Sequence, residues 1–453
     1  MRAFATLAFA TAASLIGQAL AAPISGRLIS RSTGIVVTPG TVDDVIITAD
    51  NTVNGTVYTG HNGTVTAPRI QATEKLSFAL VNNFDGAQIN AYVTGRDASD
   101  NIVMLQADGS WYFPNPQGST TPVAITGNVN ISLGAKGSTT NIQLPGYISS
   151  ARVYFAEGNL QFFVVAIDSN GGAGLVEPAA NNPSDPNAGV NWGFVELTNN
   201  DGGLYANISY VDFVGLVLSM SMIAGDGSVQ TVKGLQAGAA SSICNDLTAV
   251  AGQDGQPWDQ LCMKDSSGKL LRVLAPTKYL DLAPDAFSTY FTDYINTVWS
   301  TYSTKDLTIN TQSTSGNVAC RTSGDVLNCA GDNRSYAKPV PKDIFGCDSG
   351  TFYIDRANDN AIHYAVAPRL CAAFARTTLL LSGGDVQPSL DSGSYYTTAP
   401  THRYSQYVHK YETDNKGYAF SYDDVNPSGE NAAGVVSDAN PQLLTIYVGG
   451  YAG

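Results

Sequence analysis

Apolar side chains recur in short alternating runs from Gly34 to about Leu218, as in Val45-Ile47-Ala49, Leu76-Phe78-Leu80 and Val153-Phe155. Gly, Asn or Pro interrupts these runs roughly every ten residues. Alternation places every second side chain on one face of a strand, so this stretch predicts a mainly β architecture, a sandwich or barrel. The texture changes after about Ala224. Phe287, Tyr290, Phe291, Tyr294, Ile295, Val298, Trp299 and Tyr302 follow helical spacing behind Pro284, whose ring suits a first helical turn. A second helix is predicted from Pro368 through Leu370, Ala373 and Phe374, and a third carrying Ile243 and Leu247. From Ser394 the pattern is β-like again. The expected organisation is a β part over 38–224, a mixed α/β part over 225–385, and a second β part over 386–453.

Composition narrows the function. Charged residues make up only 14% of the 453, with 45 Gly and 23 Tyr, which fits a β-rich extracellular protein better than a helical cytosolic one. The formal net charge of −14 argues against nucleic acid as a partner, because phosphate binding needs Lys and Arg clusters that this sequence lacks. A neutral glycan is compatible with it. Arg2, the apolar run from Leu7 to about Ile16 and the small-residue site Ala19-Leu20-Ala21-Ala22 read as a secretory signal over 1–22. Residues 23–37, with Arg27 and Arg31, read as a short pro-segment or linker. Neither a further bilayer-length apolar run nor a lipid-anchor tail is present, so the expectation is a soluble, secreted monomer with no membrane partner.

Six cysteines, Cys244, Cys262, Cys320, Cys329, Cys347 and Cys371, fall in the helix-containing part. Behind a signal peptide an even number implies disulfides, and the sequential pairing 244–262, 320–329 and 347–371 closes the shortest loops. A zinc site is the rival reading, but neither a Cys-x-x-Cys nor a close His pair supports it. His61, His363, His402 and His409 show no metal-ligand spacing, and structural roles are expected. Sequons stand at Asn54, Asn62, Asn130, Asn207 and Asn333. A Gly-x-Ser-x-Gly elbow and a Gly-x-x-x-x-Gly-Lys loop are both missing, which removes the commonest serine-hydrolase and nucleotide chemistries.

Two acids stand out. Glu196, in Trp192-Gly193-Phe194-Val195-Glu196-Leu197-Thr198, and Asp212, in Asn207-Ile208-Ser209-Tyr210-Val211-Asp212-Phe213-Val214, are each set among β-branched and aromatic residues. Paired, partly desolvated carboxyls suit glycoside hydrolysis, in which one donates a proton to the leaving oxygen and the other activates water or attacks the sugar. Alternation sets Glu196 and Thr198 on one face and the core-seeking Val195 and Leu197 on the other. If Asn199 to Gly203 form a simple hairpin turn, Glu196 pairs near Ala206 and Asp212 lies roughly 20 Å farther along. A chemical pair then requires a bend, a longer loop or pairing with another strand.

These motifs, with Leu175-Val176-Glu177-Pro178 and Asn182-Pro183-Ser184-Asp185-Pro186-Asn187, resemble glycoside hydrolase family 64, the laminaripentaose-producing type of β-1,3-glucanase. Gly417-Tyr418-Ala419-Phe420-Ser421-Tyr422-Asp423-Asp424-Val425 resembles a Tyr-Asp-Asp signature of thaumatin-like barrels. The resemblance covers most of the chain after about Thr38. It implies a thaumatin-like β-barrel or sandwich completed by the last segment, with the mixed α/β part inserted and a wide cleft between them. It implies endo-type, inverting hydrolysis of β-1,3-glucan to short oligosaccharides without a cofactor. Glu196 falls on the family's general acid and Asp212 on its general base, with carboxyls separated by roughly 6.5–9.5 Å. Thr198 and Asn200 match sugar-contacting positions. Asp423 and Asp424 either hydrogen-bond glucose hydroxyls and tune the acid, or stabilise a turn. Trp192 and Tyr205 either present flat faces to pyranose rings or pack in the core, and core packing is expected for Trp111-Tyr112-Phe113. The competing class is a non-catalytic glucan-binding protein.

Overall fold

The computed structural model describes residues 33–58, 75–169, 171–429 and 434–451. The signal sequence, most of the pro-segment, Asn62 and His61 lie outside them. The alternating sequence forms a central eight-stranded sheet. Its order is Val435–Asp438, Gly203–Ile208, Trp192–Asn200, Ile148–Glu157, Ile89–Arg96, Ile102–Leu105 and Trp111–Tyr112, with Ile131–Ser132 paired to Ile89–Arg96. Both faces of this sheet are covered. On one side Val153, Phe155, Val195 and Leu197 share a core with Phe78, Met220, Leu444 and Ile446 of a five-stranded sheet. On the other, Tyr154, Trp192 and Phe194 pack with Val164 and Leu175 of a four-stranded sheet and with Phe213 and Leu271 of another.

The last strand, Pro441–Val448, lies between Leu218–Ala224 and Ser77–Asn82, so the end of the chain is built into sheets made by its first half. A fifth sheet, holding Leu307–Asn310, Asn317–Ser323 and Val326–Cys329, sits in the helix-containing stretch with helices Ala239–Asp254, Thr292–Thr301 and Ala361–Ala375. The cysteines pair sequentially, Cys244–Cys262, Cys320–Cys329 and Cys347–Cys371. Among the described residues no helix is long and apolar enough to cross a membrane.

Four expectations are corrected. The described sheets remain open, with no closed barrel among them, because the central sheet buries its two faces against separate neighbouring sheets. Residues 45–49 form no strand: Ile46 and Ile47 are exposed, and pairing begins only at Thr52–Thr56. The aromatic helix starts at Thr292, not behind Pro284. Phe287 adopts φ +57°, which ends any helix there, and buries its ring against Trp258 and Phe345. The helix around Pro368 begins seven residues earlier, where the Asn360 side chain accepts a hydrogen bond from the His363 amide and caps Ala361–Ala375. Pro368 sits inside it, held by the buried packing of Val366, Leu370 and Phe374.

Candidate active site

The strand Trp192–Asn200 passes from core to solvent along one face. Trp192 and Phe194 lie beneath the covering sheets, and two residues further the cover stops, leaving Glu196 with 36% of its side chain exposed. Val195 and Leu197 on the opposite face are buried, as the alternation predicts. Opposite Glu196 stands Asn207, one position beyond Ala206. The turn is tighter than expected, because Asn200 pairs with Gly203 and leaves only Asp201-Gly202 in the loop, a favoured two-residue hairpin connection.

The bend that a chemical pair requires begins at Ile208. The strand ends there, the chain bends through Ser209 to Asp212, and Phe213–Val214 pairs with Leu270–Leu274 in a different sheet. The Ala275 amide donates to the Asp212 carbonyl at 2.9 Å and pins the bend. Asp212 therefore turns back beside the Glu196 strand with 32% of its side chain exposed.

The two acids line adjoining hollows. Glu196 faces one of about 530 Å³ with Thr198, Tyr205, Asn207 and Glu177, and Asp212 faces one of about 410 Å³ with Thr48, Asn181 and Lys278. Arg152 and Asp50 border both. Arg152 comes from the neighbouring strand, directly opposite Glu196 in register. Its guanidinium lies 3.4 Å from Glu196 Oε1 and donates from Nη1 to Glu177 Oε2 at 2.8 Å. The Glu177 carboxylate is fully buried and also accepts from Thr94 Oγ1 at 2.5 Å. On the other side, Lys278 Nζ lies 3.3 Å from Asp212 Oδ1 and 2.5 Å from Asp50 Oδ2.

The two carboxyls have different electrostatic surroundings. Burial raises the pKa of Glu196; Arg152 opposes the shift, and the charges of Asp212 and Glu177 add to it. A carboxyl whose pKa is raised is better suited to donate a proton. Burial works against the charge on Lys278, yet Asp212 and Asp50 together raise its pKa, so a stable ammonium faces Asp212. This assignment makes a signed pH prediction. In Arg152→Gln/Glu177→Gln the guanidinium and its fully buried partner are removed together, so Glu177 is not left as an unpaired buried charge. Arg152 touches Glu196 and has the larger influence on it, so the Glu196 pKa rises further and the alkaline limb of kcat moves to higher pH. A kcat–pH profile in which that limb stays put or moves down contradicts the assignment.

Thr198 and Tyr205 line the Glu196 hollow, and Tyr205 is 46% exposed. Asn200 does not join them; its Oδ1 accepts from the Gly202 amide at 2.9 Å at the hairpin tip. Trp192 is corrected to core. It is only 2% exposed, wedged among Tyr154, Phe194 and Phe213 with the Arg272 guanidinium 5.4 Å from its ring, and that small exposed part is all it presents to the Asp212 hollow. Trp111 is also buried. Arg272 itself donates to the carbonyls of Ala188 and Val190 and so ties the Asn182–Asn187 motif to the strand start; burial pulls its pKa down to about 10 against the pull of Asp185. Asp423 is corrected too: it is 1% exposed and ion-paired with Arg376 and His409. Asp424 is exposed and lines neither hollow. The described residues hold no cluster of His, Cys, Asp and Glu fit for a metal.

Sequence reasoning missed Arg152, Lys278 and Asp50. Arg152 left one signal, a lone cation in the apolar run Val153-Tyr154-Phe155-Ala156. Lys278 and Asp50 left none, since 228 positions separate them.

Glu196 and Asp212, set in adjoining hollows, offer the paired carboxyls that glycoside hydrolysis uses. The family model for the β-1,3-glucanases of glycoside hydrolase family 64 matches residues 74–448, and the chain belongs to that family. A glucan endo-1,3-β-glucosidase of Cellulosimicrobium cellulans is 27% identical over 395 residues, spanning 86% of this chain and 68% of the relative. Another from Arthrobacter sp. (strain YCWD3) is 28% identical with the same coverage. Among solved structures, a laminaripentaose-producing β-1,3-glucanase in complex with laminaritetraose superposes with a TM-score of 0.70 at 28% identity, covering 84% of this chain and 99% of that one. A family 64 β-1,3-glucanase domain from Clostridium beijerinckii shares the fold, with a TM-score of 0.62 at 22% identity, over 84% of this chain and 100% of that domain.

Proposed function

We propose that the protein is a secreted, monomeric, endo-acting β-1,3-glucanase that cleaves glucan with inversion. The reading is carried by one observation: Glu196, its pKa raised by burial, and the lysine-paired Asp212 line adjoining hollows with Arg152 and Asp50 on both borders. Glu196 protonates the glycosidic oxygen as the bond breaks. Asp212 takes a proton from the water that attacks the anomeric carbon from the opposite side. Thr198 and Tyr205 contact the sugar in the Glu196 hollow. Product release as short laminari-oligosaccharides fits the solved relative, which produces laminaripentaose. No step calls for a cofactor.

The same reading treats 38–224 and 386–453 as one thaumatin-like β scaffold and 225–385 as its insertion. The pairing of Val435–Asp438 and Pro441–Val448 with strands of the first part supports this. Three disulfides support the extracellular assignment. The stereochemical test follows laminarin hydrolysis by proton NMR from the first minute. The α-anomer at the new reducing end is expected to accumulate before mutarotation. Early β-anomer means retention, and with it the base role of Asp212 falls.

A further inference from the structure

The family match begins at residue 74, yet part of the groove wall is built by chain that precedes it. Asp50 borders both hollows, with Thr48 and Asn51 beside it in the Asp212 hollow and Thr52 and Asn54 in the other. This stretch is fixed in place. Thr52–Thr56 pairs antiparallel with Gly172–Val176, and the buried Asn51 exchanges hydrogen bonds with Glu177: the Glu177 amide donates to the Asn51 carbonyl at 2.8 Å, and Asn51 Nδ2 donates to the Glu177 carbonyl at 3.4 Å. Asn51 Nδ2 also donates to the Ile46 carbonyl at 2.8 Å and closes the turn on which Asp50 stands.

Asp50 is thereby held over Lys278. Its Oδ2 lies 2.5 Å from Lys278 Nζ, against 3.3 Å from that nitrogen to Asp212 Oδ1. The ammonium is mostly buried, at 14% exposure, and sits between two carboxylates with the closer contact to Asp50. A lysine with Asp212 as its only partner would settle on the oxygen that has to accept water's proton. A second anion draws it off.

We propose that Asp50, carried by chain ahead of the family match, is a positioning residue for Asp212. It anchors the Lys278 ammonium so that Asp212 stays oriented by the cation while keeping an oxygen free for the attacking water. The proposal rests on the reading of Asp212 as the base. Its chemistry is local to the water side of the reaction, so sugar affinity is not its target.

The test is a double-mutant cycle on laminarin with kcat and KM measured separately. Asp50→Asn is expected to lower kcat roughly 10-fold, as misplacement of a reacting group does, with KM within about 2-fold. The melting midpoint should stay at the wild-type value, since Asp50 is 65% exposed. In a Lys278→Met background the same change is expected to add no further loss, because Asp50 acts through the lysine. Wild-type kcat in Asp50→Asn overturns the proposal, as does a loss confined to KM or to the melting midpoint, or an undiminished loss in the Lys278→Met background. Glu196→Gln run alongside separates the two failures. If it is inactive while Asp50→Asn is normal, only the positioning role falls; if both turn over normally, the two-carboxylate reading falls with it.

Discussion

Glu196→Gln loses at least about 10²-fold in kcat on laminarin and keeps its fold, because the amide preserves shape and removes the proton that the leaving oxygen needs. Because burial raises the Glu196 pKa, the alkaline limb of the wild-type profile is expected above the ordinary Glu range, and in Glu196→Gln that limb vanishes. The leaving group separates proton donation from other causes of lost activity. An aryl laminarioside whose phenolate departs without protonation should recover much of its turnover with Glu196→Gln. With Asp212→Asn it should stay slow by a similar 10²-fold or more, because water must still be activated whatever departs. Near-normal laminarin hydrolysis by either variant removes that residue from the mechanism. Equal losses on both substrates for Glu196→Gln remove the acid role while leaving a binding one.

The parts of this site written in period two were legible in the sequence. Val195 and Leu197 seek the core, so Glu196 and Thr198 had to face away from it, and they do. The bend that brings Asp212 back was legible as a requirement but not as a shape. It depends on Phe213–Val214 leaving one sheet for another, a pairing with Leu270–Leu274 that no local pattern encodes. The same limit hid the cations. Arg152 meets Glu177, and Lys278 meets Asp50, only because distant stretches of chain converge, and neither Asp50 nor Lys278 reads alone as more than an ordinary charged residue. Helical spacing misled where aromatic packing overrode it: Phe287 continues the period of Tyr294 and Val298 but belongs to a turn whose ring fills the Trp258 and Phe345 cluster. Trp192 misled in the other direction, since an aromatic beside a catalytic motif is chemically apt to stack on sugar, and only the covering sheets show it to be enclosed.

The Tyr422-Asp423-Asp424 segment is where resemblance and structure part most clearly, and it sets the second large effect. Asp423 accepts from Arg376 Nη2 at 3.0 Å, from His409 Nε2 at 2.9 Å and from the Ala419 amide at 2.8 Å, while His409 Nδ1 faces Glu412 Oε2 at 2.8 Å. Burial disfavours charge on His409, but the two carboxylates hold its proton and raise its pKa well above the ordinary 6.5. Burial likewise works against ionised Asp423, and His409 and Arg376 overcome it and lower its pKa. Asp423→Asn leaves the buried Arg376 and the partly buried His409 short of an anion, and a loss of about 3–5 kcal/mol in urea-unfolding free energy is expected, with KM for laminarin little changed in the folded protein. The pH dependence has a definite sign. The raised His409 pKa gives stability that is complete below 6.5 and lost as pH climbs through its folded value, while Glu412, lifted by burial, begins its own loss earlier, as pH rises above 4.5. The lowered Asp423 pKa gives stability that is complete above 3.8 and lost as pH falls through its folded value. Wild type should therefore weaken as pH rises past 6.5, and Asp423→Asn should flatten that slope. A variant that keeps the wild-type unfolding midpoint but loses affinity for glucan would return Asp423 to the sugar.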